Sequence, residues 1–118
     1  MANGLHVLII EDEMLVGMSV FHCLSDIGFE SFAFAGTEAQ ALQQARLRRP
    51  DLLTVDVRLL NGDGRAAADT LIREIGDVPT IYVTGDPQAL DGTPDAVIVE
   101  KPFGTRDFEA ACRRLHLH

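Results

Sequence analysis

The stretch LHVLIIEDEMLV, Leu5 to Val16, changes its hydrophobic period halfway along. Leu5 to Ile10 is a nearly continuous apolar run, the pattern of a parallel strand buried on both faces. From Met14 the apolar residues fall at helical spacing instead, with Val16, Val20, Cys23 or Leu24, and Ile27 on one face before Gly28 stops the helix. A strand therefore hands over to a helix across three consecutive acids, Glu11, Asp12 and Glu13.

The same alternation continues downstream. Phe29 to Ala35 reads as a second strand, and Thr37 and Glu38 open a helix that runs to about Arg49 and ends before Pro50. LLTVDV, Leu52 to Val57, is a third strand, leading through the turn residues Asn61, Gly62, Asp63 and Gly64 into a helix with Ala68, Leu71, Ile72 and Ile75 on one side. Thr80 to Thr84 and Ala96 to Val99 are a fourth and a fifth strand, and Arg106 to Leu115 a closing helix. Strands alternating with helices in this way predict an α/β fold with a doubly wound, five-stranded parallel sheet. One link breaks the rhythm: the eleven residues GDPQALDGTPD after Thr84 hold two prolines and two glycines. They leave room for one turn around Gln88 to Leu90, so the fourth helix is expected to be shortened.

With 118 residues the chain fits one domain, residues 1–118. An apolar fraction of 47% and a charged fraction of 24% are ordinary globular usage and exclude disordered and collagen-like classes. No apolar run approaches the roughly 18 residues of a membrane span, and the start MANGLHV does not read as a signal peptide, so a cytoplasmic protein without membrane contact is expected. Asp and Glu number 18 against 10 Lys and Arg, a net charge of -8 that repels phosphate backbones and argues against direct nucleic-acid binding. Arg46, Arg48 and Arg49, and likewise Arg113 and Arg114, read as helix ends complementing their dipoles. Cys23 and Cys112 lie far apart with no metal-type spacing, and two buried thiols on helices are expected.

In an open parallel sheet, ligands collect outside the carboxyl ends of the strands. Those ends carry Glu11, Asp12 and Glu13 after the first strand, Asp56 near the end of the third, Thr84 at the end of the fourth and Lys101 after the fifth. Lys101 is the only lysine beside nine arginines, which suggests a compact point charge with a specific task. Carboxylates about 5 Å apart repel by about 3 kcal/mol per pair at an effective dielectric near 20, so they must protonate, separate or hold a cation. Hard oxygen ligands suit Mg²⁺, beside which a carboxylate could attack a phosphoryl group while a hydroxyl and an ammonium steady its oxygens. Plain alternatives stand beside each residue. Glu11 to Glu13 would serve equally as a solvated helix start, Thr84 as an ordinary strand end, and Lys101 as a partner of Glu100. An ionised Asp56 inside an apolar strand is harder to explain without a partner.

LIIEDEMLV, TVDVRLLNGDG, YVTGD and VEKPF, in this order and spacing, resemble the motifs of the two-component response-regulator receiver domain over essentially the whole chain. The resemblance implies the flavodoxin-like strand order 2-1-3-4-5. It implies that Asp56 is the phosphoryl acceptor, and that Asp12, Asp56 and the backbone carbonyl of Arg58 bind Mg²⁺, with Glu11 acting through water. Thr84 then corresponds to the hydroxyl that moves to the phosphoryl group, Gly85 to the small residue leaving room for it, and Lys101 to the lysine contacting its oxygens. A cis Lys101–Pro102 bond is implied as well.

The chain departs from the family's pattern in three places. Ile98 fills the aromatic switch position, leaving Tyr82 as a reporter of the change or as a packed core residue. Leu60 stands where many members have proline, and Arg58, two after the acceptor, would either tune the acyl phosphate or be solvated. The function implied is a single-domain receiver, not an enzyme on outside substrates. It would take a phosphoryl group from a histidine kinase or histidine phosphotransfer protein and signal by changed binding to an output protein. A receiver-fold binding module working without phosphorylation is the second reading. A Mg²⁺-dependent phosphatase ranks last, because Arg58 occupies the place of its acid/base aspartate.

Overall fold

β1 (His6–Ile10) is buried along its whole length. It lies inside a five-stranded, all-parallel sheet with β2 (Ser31–Ala35), β3 (Leu52–Asp56), β6 (Thr80–Thr84) and β7 (Val97–Glu100). The order is β2-β1-β3-β6-β7, which counted over the sheet strands alone is the expected 2-1-3-4-5. The computed structural model describes residues 4–59, 62–93 and 95–117. Leu60, expected as a departure from the family's proline, and Asn61, expected in a turn, lie outside them.

Because successive strand residues face opposite ways, the sheet divides its apolar side chains between two cores. Val7, Ile9, Leu52, Ile81 and Val99 face α1 (Met14–Asp26) and α4 (Thr105–Arg114), meeting Val20, Leu24 and Phe108. Leu8, Ile10, Leu53 and Val55 face α2 (Glu38–Leu47) and α3 (Gly64–Ile75), meeting Ala41, Ala45, Ala68 and Leu71. Burial on both faces is why these strands read as continuous apolar runs. The helix starts are fixed locally. Thr37 Oγ1 accepts the Gln40 N–H at 3.1 Å, Asp63 Oδ1 accepts the Arg65 N–H at 2.8 Å, and Asp107 accepts the Gly104 N–H at 2.8 Å.

Where a fourth helix would stand, Pro87–Leu90 forms a single 3-10 turn, with Asp86 accepting the Gln88 N–H at 3.2 Å. Of the turn residues expected after β3, those described belong to regular elements. β4 (Arg58–Leu59) and β5 (Gly62–Asp63) pair antiparallel, and Gly64 already belongs to α3. Gly64 lies so close to the Asp56 carbonyl that a Cβ there would collide with it, while its own N–H donates to Val57 O at 2.8 Å. Only glycine permits this approach of α3 to the end of β3.

The first basic cluster serves the fold. Arg46 makes a bidentate pair with Glu74, Arg48 donates to Ser31, and Arg49 donates to the carbonyls of Ile75 and Asp77 at the end of α3. Cys23 and Cys112 are buried free thiols, and burial pushes Cys112 up to about 11. No helix among the described residues is long and apolar enough to cross a membrane.

At the amino end of the sheet His6 is buried, with Nδ1 2.7 Å from Ser31 Oγ. Desolvation lowers its pKa, the nearby Arg48 lowers it further, and Asp51 opposes both. The unfolded chain then takes the proton first. This contribution to stability is complete above about 6.5 and is lost as pH falls through the lower folded value.

Two outcomes are expected from this packing. Gly64→Ala should cost stability at or above the upper end of the about 1–3 kcal/mol typical of overpacking, while Gly62→Ala, with open space around its Cβ, should stay within about 0.5 kcal/mol; urea titration of both variants decides. His6→Asn should lose less stability than the unchanged chain between about pH 7 and about pH 5.5. Equal losses would remove His6 from the acid response.

Candidate functional site

The strand registers gather the polar rim. Ile10 pairs with Val55, so the residues that follow them, Glu11 and Asp56, emerge side by side. Asp56 pairs with Val83, and Thr84 with Glu100, which brings Thr84 and Lys101 to the same edge. Glu11, Asp12 and Asp56 each place a carboxylate oxygen within 4.8 Å of the other two. Glu11 and Asp12 are half-buried, whereas Asp56 is only 7% exposed.

Partial compensation surrounds this charge. Asp56 Oδ1 accepts the Arg58 N–H at 3.1 Å, and Lys101 Nζ lies 3.6 Å from Asp56 Oδ2. The ion pair of Lys101 is thus with the buried acid. Glu11 Oε2 accepts the Glu13 N–H at 3.1 Å. Burial pushes the Glu11 carboxyl up to about 8 against the pull of that hydrogen bond, and neighbouring Asp56 adds to the rise while Lys101 lowers it. An acid that holds its proton this readily, beside two further carboxyls and a single ammonium, marks a site short of positive charge, which fits a hard divalent cation that accepts oxygen ligands and keeps waters.

Lys101 is anchored through its backbone. Its N–H donates to Thr84 O at 2.8 Å, and the Lys101–Pro102 peptide is cis, as the resemblance implied. Thr84 is buried, and its hydroxyl turns toward its own loop. It accepts the Asp86 N–H at 2.9 Å and donates to Asp86 O at 3.2 Å. Space is open around the Cβ position of Gly85. Tyr82 is a core residue of the α2–α3 side, and its register partner Ile98 packs half-buried against the same cluster.

The structure thus brings Glu11, Asp12, Asp56, Thr84, Arg58 and Lys101 to one rim. Sequence reading missed Asp86, whose Oδ2 lies 2.8 Å from Arg58 Nη2. The available signal was its place two residues after Thr84, matching that of Arg58 two after Asp56.

Comparison with known proteins agrees with this fold. The family profile described as "Response regulator receiver domain" matches residues 7–113. The transcriptional regulatory protein PdtaR of Mycobacterium tuberculosis is 30% identical over 105 residues, covering 86% of this chain and 51% of PdtaR. The phyllosphere-induced regulator PhyR of Methylorubrum extorquens is 30% identical over 102 residues, covering 82% of this chain and 38% of its own. Among solved structures, PhyR from Brucella abortus superposes with a TM-score of 0.84 at 25% identity, over 93% of this chain and 46% of that one. Vibrio cholerae CheY4 shares the fold, with a TM-score of 0.81 at 20% identity over 93% of this chain and 97% of its own. The chain spans about half or less of the length of the curated relatives named here.

The acidic cluster makes a direct expectation. A Mg²⁺ concentration about tenfold above the dissociation constant should stabilise the chain by on the order of 1 kcal/mol, read as a raised Tm. Asp12→Asn should abolish that rise. An equal rise in the variant would assign the ion to another place.

Proposed function

Because this chain belongs to the response-regulator receiver family, we propose that Asp56 accepts a phosphoryl group and that the resulting aspartyl phosphate changes which partner the surface binds. The observation that carries this reading is a nearly buried carboxylate with an ammonium 3.6 Å away and two further carboxylates within 4.8 Å. A purely structural aspartate would not be placed beside two more acids.

In the proposed step an oxygen of Asp56 attacks phosphorus while the phosphorus–nitrogen bond of a phosphohistidine breaks. The bonding pair goes to the imidazole nitrogen, which takes up a proton. The Lys101 ammonium, already facing Asp56 Oδ2, balances charge on the transferred group. The Arg58 N–H holds Asp56 Oδ1 in a fixed direction. Thr84 would turn its hydroxyl from Asp86 to a phosphoryl oxygen. Glu11, Asp12, Asp56 and the carbonyl of Arg58 would hold Mg²⁺, which when bound supplies charge neutralisation of the phosphoryl oxygens. Hydrolysis returns Asp56 as water attacks phosphorus and the phosphorus–oxygen bond to the carboxylate breaks. The chemistry is confined to its own aspartate.

The donor would be a histidine kinase or histidine phosphotransfer protein, which must cover the rim to reach Asp56. Exposed Met14, Leu15 and Met18 border that rim and offer it an apolar contact. The output partner would be a protein, since a net charge of -8 disfavours nucleic acid. The transcriptional role in the name of PdtaR stays with that longer protein.

Intact mass after incubation with an acyl phosphate or phosphoramidate and Mg²⁺ tests the reading. A gain of one phosphoryl, about 80 Da, is expected in the unchanged chain and absent in Asp56→Ala. Lys101→Ala should slow the gain by on the order of tenfold or more. No gain, repeated with candidate kinases, would favour a binding module that works without phosphorylation.

A further inference from the structure

Asp86 uses every polar atom it has. Its N–H donates to Thr84 Oγ1 at 2.9 Å, its carbonyl accepts from Thr84 Oγ1 at 3.2 Å and from the Ala89 N–H at 3.0 Å, Oδ1 caps the Gln88 N–H at 3.2 Å, and Oδ2 pairs with Arg58 Nη2 at 2.8 Å. One residue thereby ties together the proposed phosphoryl-sensing hydroxyl, the cation two places after the acceptor and the turn that replaces the fourth helix. Arg58 and Ala89 both line an open hollow of about 420 Å³, together with Val57, Leu59, Gly62 and Asp63.

From these contacts we infer that Asp86 is a positioning residue, a clasp that holds the Thr84 hydroxyl and the Arg58 guanidinium in its own loop while Asp56 is bare, and that a phosphoryl group on Asp56 releases it. The inference rests on Asp56 being the acceptor. A phosphoryl group on Asp56 puts close to two negative charges in place of the carboxylate's one, with three strong acceptors, beside Arg58, whose backbone already bonds Asp56 Oδ1. Guanidinium prefers such a group, which it can grip with two hydrogen bonds, to a single carboxylate oxygen. The competing pair with Asp86 is exposed, at 73% and 43% for the two side chains, and is therefore weak enough to exchange. Moving the Thr84 hydroxyl to the phosphoryl group removes the acceptor of the Asp86 N–H in the same event. Both tethers then fail together, and Pro87–Leu90 is freed to repack around Ala89 and the buried Leu90. This gives the chain a route to a changed surface that does not depend on an aromatic side chain at Ile98.

Amide hydrogen exchange at Gln88, Ala89 and Asp91, measured by NMR on the full 118-residue chain, tests the clasp. In the unmodified protein without ligand, Asp86→Asn keeps a capping side chain but drops the charge, and Arg58→Gln drops the other partner. Each is expected to speed exchange about two- to fivefold, and the double variant no more than either single one. Beryllofluoride with Mg²⁺, a phosphoryl mimic, should speed the same amides in the unchanged chain and add little in Asp86→Asn. It should also bind Asp86→Asn about two- to fivefold more tightly, because no clasp remains to be opened; a merely structural role for Asp86 would not tighten binding. Independent, multiplying effects of the two substitutions would overturn the inference. So would bound beryllofluoride that leaves the three amides as protected as before. Failure of beryllofluoride to bind at all would instead overturn the acceptor role of Asp56, and with it the release step, while the variants still decide whether the clasp exists.

Discussion

Repulsion among three carboxylates is the constraint around which this molecule is arranged. At 4.8 Å and an effective dielectric near 20, each pair of ionised acids opposes folding by about 3 kcal/mol. Nothing in a flexible loop would keep Glu11, Asp12 and Asp56 so close. The parallel sheet does so because β1 and β3 are buried on both faces and cannot slip in register without exposing a full row of aliphatic side chains. The two cores thus hold a cluster of charge that the local sequence alone would let spread. Lys101, brought in from the far end of the chain, offsets part of that cost, and the Glu11 carboxyl, pushed up first by burial and then by Asp56, relieves the rest by holding its proton.

Much of this was legible in the sequence, for a physical reason. Strands buried on two sides must be apolar almost throughout, so LHVLII and LLTVDV stand out against the 3.6-residue spacing of the helices that cover them. Polar residues that interrupt such runs, or end them, are conspicuous, and that picked out Asp56, Thr84 and Lys101. The proline- and glycine-rich stretch after Thr84 was equally readable, because a full helix cannot form there; its single 3-10 turn lies where the composition left room.

The parts that were not legible depend on long-range contacts. Gly62 and Asp63 carry turn chemistry, yet they pair with Arg58 and Leu59, since the chain must reverse within a few residues to dock α3 on β3. Gly64 gave a turn signal, while its actual constraint is the Asp56 carbonyl pressed against it, which no local pattern encodes. Asp86 looked like one acid among several in a polar loop. Its importance comes from Arg58, which is distant in sequence and meets it only after β3 and β6 become neighbours.

The hydrogen bond from the Lys101 N–H to the Thr84 carbonyl also limits how this chain can vary in length. It joins the hydroxyl and the ammonium at the level of the main chain, so their spacing is set by backbone and survives changes in the side chains around them. An insertion immediately after Thr84 or just before Lys101 would pull the two apart and leave a buried acid without its counter-charge. Extra residues are best accommodated at the exposed Asp91 and Gly92, beyond the turn. The connection from β6 to β7 therefore has a fixed part beside Thr84 and an extensible part at Asp91 and Gly92, and a new segment grafted into the second would lie at the surface while leaving the acceptor undisturbed.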